Sequence, residues 1–246
     1  MRYFRITADP GIHWGLVSED SAGFCCSNGP FIAEALGAVR DAFLAVFGPE
    51  TVNSHPTLAV ISMSEGPMTL RELNLISLSS KGARYLQHIY QFSHELCHFM
   101  VPGNVCGPYR WFEETLCETM SWYALQWIAD NRARYTRASF ASLIDGIGDY
   151  ISQCQAVRAV FDGPPSSYLP QYLEHLKGSP YDRALNSAVA YAIYPFFLQT
   201  PVLWKIVLFL NTLKPDMSLK DALSHLFRIA AIPDDPGNKI VQALCE

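Results

Sequence analysis

Three side chains that can bind or assist a metal ion lie within one ten-residue stretch of the sequence. Residues 91–100 read QFSHELCHFM, so His94 and His98 are four positions apart and Glu95 follows the first histidine. Residues four apart lie on one face of an α-helix, which lets both imidazoles face a single ion. Glu95 is rotated by about 100° from His94, which suits a carboxylate that accepts a proton from a water molecule beside the metal. We therefore predict two metal ligands and a general base.

A second predicted helix supplies carboxylates. It begins with WFEETLCE, residues 111–118, in which Glu114 and Glu118 are four apart and share a face. The intervening residues 101–110 suit a turn that returns the chain antiparallel to the first helix. We assign Glu114 as the third ligand and Glu118 as the acceptor for the free ring N–H of a histidine ligand. Three protein ligands leave one position open, which is typical of a catalytic Zn²⁺ site, and we expect one zinc ion per chain.

Other reactive side chains near these motifs are interpreted as structural. Glu113 points about 100° away from Glu114 and is expected at the surface. Cys97 lies between the faces of the two histidines and Cys117 is taken to lie off the Glu114 face, so both are expected to pack in the core. The alternative for the two histidines is that they are core residues hydrogen-bonded to their neighbours on an apolar helix.

Composition sets the class of protein. The chain has 246 residues, 50% of them apolar and 17% charged, which is enough to bury a substantial core. A net charge of -5 argues against a nucleic-acid binder. The apolar stretch 188–210 is interrupted by polar residues and prolines, so no membrane span is expected. The start MRYFRITADP is not a secretory signal peptide, and seven cysteines without a C-x-x-C pair suit reduced thiols in the cytoplasm.

The hydrophobic pattern changes along the chain. Short β-forming stretches at 2–8, 57–64 and 73–80 predict strands, while 31–47 and 83–100 predict helices. After the Val-Pro-Gly-Asn turn at 101–104, helices are predicted near 111–130, 137–160, 168–177, 182–198, 201–213 and 218–230. We therefore predict an α+β fold in which an N-terminal α/β lobe, residues 1–103, carries a small sheet and the histidine helix. Residues 104–246 are predicted to form a mostly helical lobe that carries the third ligand.

These motifs together resemble a known family. HELCH followed by an E-x-x-x-E helix resembles the gluzincin metallopeptidases, which include thermolysin-like and M1 aminopeptidase-like enzymes, and WFEETL looks like the W-L-N-E-G-F segment of M1-type enzymes. The resemblance implies a zincin-like two-lobe fold. It also implies zinc-dependent hydrolysis of peptide bonds in a peptide or protein substrate.

The resemblance implies further roles. Residues 73–80 would be the edge strand that pairs with the substrate, although an ordinary sheet strand is the alternative. Gly66-Pro67-Met68-Thr69 lies where M1-type enzymes carry G-x-M-E-N, and the absent glutamate leaves endopeptidase and exopeptidase activity both open. SPYDRALNSAVAYAIY, residues 179–194, resembles the P-Y-E-K-G helix start. Tyr181 is therefore the candidate oxyanion donor and Tyr191 the second choice, with a core tyrosine as the alternative for either.

Two other classes of function stay open. One is a non-catalytic zincin-like binding protein, or pseudoprotease, that keeps the metal and uses the cleft or helical surface for a partner. The other is a helical interaction domain without a metal. Glu95 favours the enzyme, because a purely structural metal site does not need this carboxylate.

Overall fold

A computed structural model describes residues 2–18, 28–63 and 65–246 of the chain. In these residues it has ten α-helices and one five-stranded sheet, which confirms the predicted mixture of a small sheet and many helices. The chain divides into two compact units, Met1–Phe99 with Ala124–Ile151, and Met100–Tyr123 with Ser152–Glu246. Residues 124–151, which the sequence analysis placed in the helical lobe, thus belong to the unit that holds the sheet.

The sheet of the first unit consists of β1 (Arg2–Arg5), β2 (His13–Ser18), β3 (Thr57–Ser62), β4 (Met68–Leu70) and β5 (Leu75–Leu78). The spatial order of the strands is β1-β2-β3-β5-β4. The three central strands, β2, β3 and β5, run parallel to one another. The edge strands are antiparallel: β1 pairs with β2, and β4 pairs with β5. Apolar side chains on the central strands, such as Leu16, Val60 and Ile76, are fully buried.

The edge of the sheet next to β5 is formed by a different strand from the one predicted. β5, the core of the predicted strand 73–80, pairs with β3 on one side and with β4 on the other. The expectation that residues 73–80 form the edge strand is therefore wrong, and the alternative of an ordinary sheet strand is confirmed. The edge is β4, whose Thr69 lies opposite Ile76. A strand of three residues has too little alternation to be recognised in the sequence.

The first unit also contains α1 (Gly29–Phe47), α2 (Pro49–Asn53), most of α3 (Tyr85–Met100) and α5 (Ala138–Asp145). Helix α1 has a buried face that includes Ile32, Leu36 and Phe43, and it contacts β1 and β2. Gly48 ends this helix with φ +80°, a positive value that glycine adopts without steric cost. The helices predicted at 31–47 and 83–100 are therefore confirmed within a few residues.

The second unit is helical. It contains α7 (Pro165–Gly178), α8 (Arg183–Gln199), a 3₁₀ helix (Pro201–Thr212), α9 (Leu219–Ile229) and α10 (Asp234–Cys245). Helices α4 (Arg110–Asp130) and α6 (Ile147–Gln155) include residues of both units.

The helices differ from the prediction at three places. The single helix predicted at 137–160 is two, α5 and α6, which meet at Gly146. The helix predicted at 201–213 is a 3₁₀ helix, and α10 has no counterpart among the predicted helices. Proline in a first helical turn is tolerated because its nitrogen needs no helical partner there. Within the described ranges, no helix is both long and apolar enough to cross a membrane.

Candidate metal centre

Helix α3 places the two motif histidines side by side. The ring centroids of His94 and His98 are 5.1 Å apart, and the ring planes are inclined by 64°. Both side chains are partly exposed, while Phe92 and Leu96 on the same helix are fully buried. The apolar face thus fixes the helix in its unit and leaves the histidine face outside the core. The prediction that both imidazoles share one face is confirmed.

His88, two turns earlier on α3, shows what a core histidine is like in this fold. It is fully buried, its Nδ1 is hydrogen-bonded to the Ser80 hydroxyl, and its Nε2 lies 3.2 Å from the Gly82 carbonyl oxygen. Burial lowers the pKa of His88, because the charged ring would lose its hydration, and the Gly82 carbonyl opposes this only in part. The partial exposure of His94 and His98 sets them apart from this buried, hydrogen-bonded residue.

The Glu95 carboxylate is held against strand β4. Glu95 is only 5% exposed, and the Thr69 hydroxyl lies 2.8 Å from its Oε2 and 2.7 Å from its backbone carbonyl oxygen. Two residues further along, the Arg71 guanidinium donates to the His98 carbonyl from Nε at 2.9 Å and from Nη2 at 2.5 Å. The chain around β4 thus binds the motif helix at two successive points. The sequence analysis did not identify either contact.

Helix α4 carries the second motif in the other unit. Cys117 is fully buried, as predicted for a packing residue, and Glu114 is partly exposed. Glu118 is 4% exposed, and its Oε1 accepts a hydrogen bond from the Ser187 hydroxyl at 3.3 Å. The expectation that Glu113 lies at the surface is wrong, because its side chain is buried. Nearly all residues around Glu113 on this helix are buried, so a side chain rotated by about 100° from Glu114 is still not exposed to solvent.

Three ligand atoms lie close enough to share one metal ion. One atom each from His94, His98 and Cys117 lies within 4.8 Å of the others, and neither Glu114 nor Glu118 belongs to this group. Tetrahedral ligands at zinc-ligand distances of about 2.0–2.3 Å would be about 3.3–3.8 Å apart, which lies within this limit of 4.8 Å. Two imidazole nitrogens and a thiol sulfur are donors that zinc accepts. The residues present therefore fit a zinc ion.

Cys117 is the member of this group that the sequence analysis missed. It was taken to lie off the Glu114 face, but residues three apart are neighbours on a helix. The spacing of Glu114 and Cys117 was therefore the signal that could have identified it. The assignment of Glu114 as the third ligand stays a prediction.

The candidate oxyanion donors lie in the second unit. Tyr181 is 69% exposed and comes just before α8, so the alternative of a core tyrosine does not apply to it. Tyr191, within α8, is 44% exposed, and the Arg158 guanidinium lies 3.9 Å from its ring centroid. The arginine thus covers one face of that ring. The role of either hydroxyl remains a prediction.

The cysteines of the described ranges are not joined in disulfide bonds. Cys97 is fully buried, as expected for a packing residue. Cys106, Cys154 and Cys245 are partly exposed, whereas positions 25 and 26 lie outside the described residues. Burial raises the pKa of the Cys106 and Cys245 thiols, which disfavours the reactive thiolate at both positions.

Comparisons of the chain with models of protein families, with curated proteins and with solved structures gave no match. The function is therefore inferred from the residues of the chain itself: the paired histidines, the anchored glutamate and the acidic helix α4.

Proposed function

We propose that this protein is a zinc-dependent metallopeptidase of the gluzincin type, which hydrolyses peptide bonds in a peptide or protein substrate. The observation that carries the proposal is a difference in exposure between neighbouring side chains of helix α3. His94 and His98 are partly exposed neighbours, while Glu95 between them is buried and hydrogen-bonded to Thr69. A metal site that only stabilises a fold needs ligands and no additional carboxylate beside them.

The architecture of the first unit supports this proposal. The motif helix α3 follows a mixed sheet whose last strand in spatial order, β4, is antiparallel to its neighbour. An edge strand presents backbone groups that can pair with an extended peptide, and in this chain that role falls to β4 instead of residues 73–80. The helical second unit is consistent with the second lobe of a zincin-like fold.

In the proposed site His94, His98 and Glu114 would hold the metal, and Glu118 would accept a hydrogen bond from a ring N–H of one histidine. Zinc, when bound, would lower the pKa of a water molecule and polarise the scissile carbonyl. Glu95 accepts a proton from the attacking water and later delivers it to the nitrogen of the leaving amine. The Tyr181 hydroxyl, or that of Tyr191 as the second choice, donates a hydrogen bond to the oxyanion.

A second candidate function is favoured by Cys117. If its thiolate ligated together with both histidines and Glu114, four protein ligands would close the coordination sphere. Closed sites of this kind are structural, so the protein would then be a non-catalytic metal-binding relative of such peptidases. Among the described residues the cysteines form no disulfide bonds, which is consistent with either function in a reducing, cytoplasmic compartment.

One experiment separates these functions. The protein is purified without chelator or histidine tag, its metal is measured by elemental analysis, and a quenched-fluorescence peptide library is added. The peptidase should hold close to one zinc per chain and cleave peptides, whereas a non-catalytic binding protein should hold zinc and cleave none. Absence of a transition metal, with no uptake on zinc titration, would contradict both and favour the helical interaction domain.

A matched pair of variants tests the ligands in the same preparation. His94→Gln removes a proposed ligand and should abolish stoichiometric zinc binding. His175→Gln changes an exposed histidine that pairs with Asp182, and it should leave the zinc content unchanged.

A further inference from the structure

Thr69 contacts the proposed general base at two points. Its hydroxyl oxygen lies 2.8 Å from Oε2 of Glu95 and 2.7 Å from the backbone carbonyl oxygen of the same residue. Both residues belong to the first unit, and 26 positions separate them in the sequence. The contact therefore depends on the pairing of strand β4 with β5, which sets the position of β4 along helix α3.

The two contacts restrict different parts of Glu95. The hydroxyl has one hydrogen, which these two acceptors share, so the contact ties the Oε2 end of the side chain to the backbone carbonyl of the same residue. A free glutamate side chain samples many rotamers, and ordering it has an entropic cost. Threonine suits this task because its β-branched side chain has few χ1 rotamers, so its hydroxyl points in a defined direction.

We propose that Thr69 is a positioning residue that occupies Oε2 of Glu95 and leaves Oε1 as the oxygen that takes the proton. This inference rests on the proposed peptidase function. In the step concerned, an O–H bond of the attacking water breaks and an O–H bond forms at Oε1. The same proton then passes to the nitrogen of the leaving amine, so Glu95 is regenerated and Thr69 keeps its hydrogen throughout.

The test compares Thr69→Val, which keeps the shape and removes the hydroxyl, with Thr69→Ser, which keeps the hydroxyl. Thr57→Val is the matched control, since Thr57 is an exposed residue of strand β3. For Thr69→Val we expect a kcat roughly 10- to 100-fold lower, with KM and zinc content little changed, because a misplaced base slows the chemical step. Thr69→Ser should keep kcat within about 3-fold of wild type, and Thr57→Val should match wild type.

A second readout does not depend on activity. Crystal structures of the metal-free protein should show Glu95 with one side-chain conformation in wild type and Thr69→Ser, and with a displaced or divided carboxylate in Thr69→Val. If the valine variant does not fold, Thr69→Ala takes its place in both measurements.

Two results would overturn the inference. One is a Glu95 carboxylate that stays in place without the hydroxyl, and the other is an equal loss of kcat in the serine and valine variants. If wild type cleaves no peptide, the proposed function fails, and the crystal structures still decide whether Thr69 positions Glu95.

Discussion

The substitution Glu95→Gln distinguishes the proposed role of Glu95 as a general base from its contribution to the stability of the fold. The amide is nearly isosteric with the carboxylate, and its carbonyl oxygen can keep the 2.8 Å hydrogen bond from Thr69. A hydrogen bond to a charged group contributes about 1.5–3 kcal/mol and one between neutral groups about 0.5–1.5 kcal/mol. We therefore expect the free energy of unfolding to fall by only about 1–2 kcal/mol. The zinc content should be unchanged, because Glu95 is not a proposed ligand.

The expected effect on catalysis is larger. A glutamine cannot accept a proton from the attacking water, and loss of a general base typically costs a factor of about 10² to 10⁴ in rate. This corresponds to about 3–5 kcal/mol in the activation free energy. The variant should therefore be a folded, zinc-loaded protein that has lost nearly all peptide hydrolysis.

Wild type and Glu95→Gln are compared on the peptide library, with zinc measured in parallel and unfolding followed in denaturant. Glu50→Gln serves as the control, because Glu50 is an exposed residue of α2. Cleavage by Glu95→Gln at the wild-type rate would refute the mechanism. Loss of zinc in this variant alone would show instead that Glu95 is a ligand.

Three further predictions concern the ligands, the oxyanion and pH. In a competition titration against a chelator, Glu114→Ala should lose nearly all zinc affinity, and Glu118→Ala should bind zinc roughly 10- to 100-fold more weakly. The zinc affinity of Cys117→Ser should change little, and a severe loss of affinity in this variant would favour the closed site. Tyr181→Phe should lower kcat by about 10²- to 10³-fold at constant zinc content, and an unchanged kcat would exclude this hydroxyl. Burial lowers the pKa of His88 in the folded protein below its ordinary value of 6.5. As the pH falls below 6.5, the unfolded chain therefore binds more protons than the folded protein, and the free energy of unfolding should decrease. Denaturant titrations between about pH 7.5 and 5.5 should show a weaker decrease for His88→Asn, and an equal decrease would contradict this origin.

The sequence by itself determined the local geometry of the candidate site. Four-residue spacing places His94 and His98 on one face of any regular α-helix, whatever surrounds it, and the adjacent glutamate must then point away from them. The limits of α1 and α3 also follow from local signals, since apolar periodicity and the Gly and Pro residues after each helix act over a few positions.

Only the tertiary structure decided which groups meet across long distances in the sequence. Thr69 reaches Glu95 because β4, too short to be recognised by its pattern, pairs with β5 at the edge of the sheet. In the second unit, packing around helix α4 makes Glu113 a buried residue, although its position in the helix predicted an exposed one. The spacing of residues along a helix predicts the direction in which each side chain points. The residues that it contacts there belong to elements distant in the sequence, so they depend on tertiary packing.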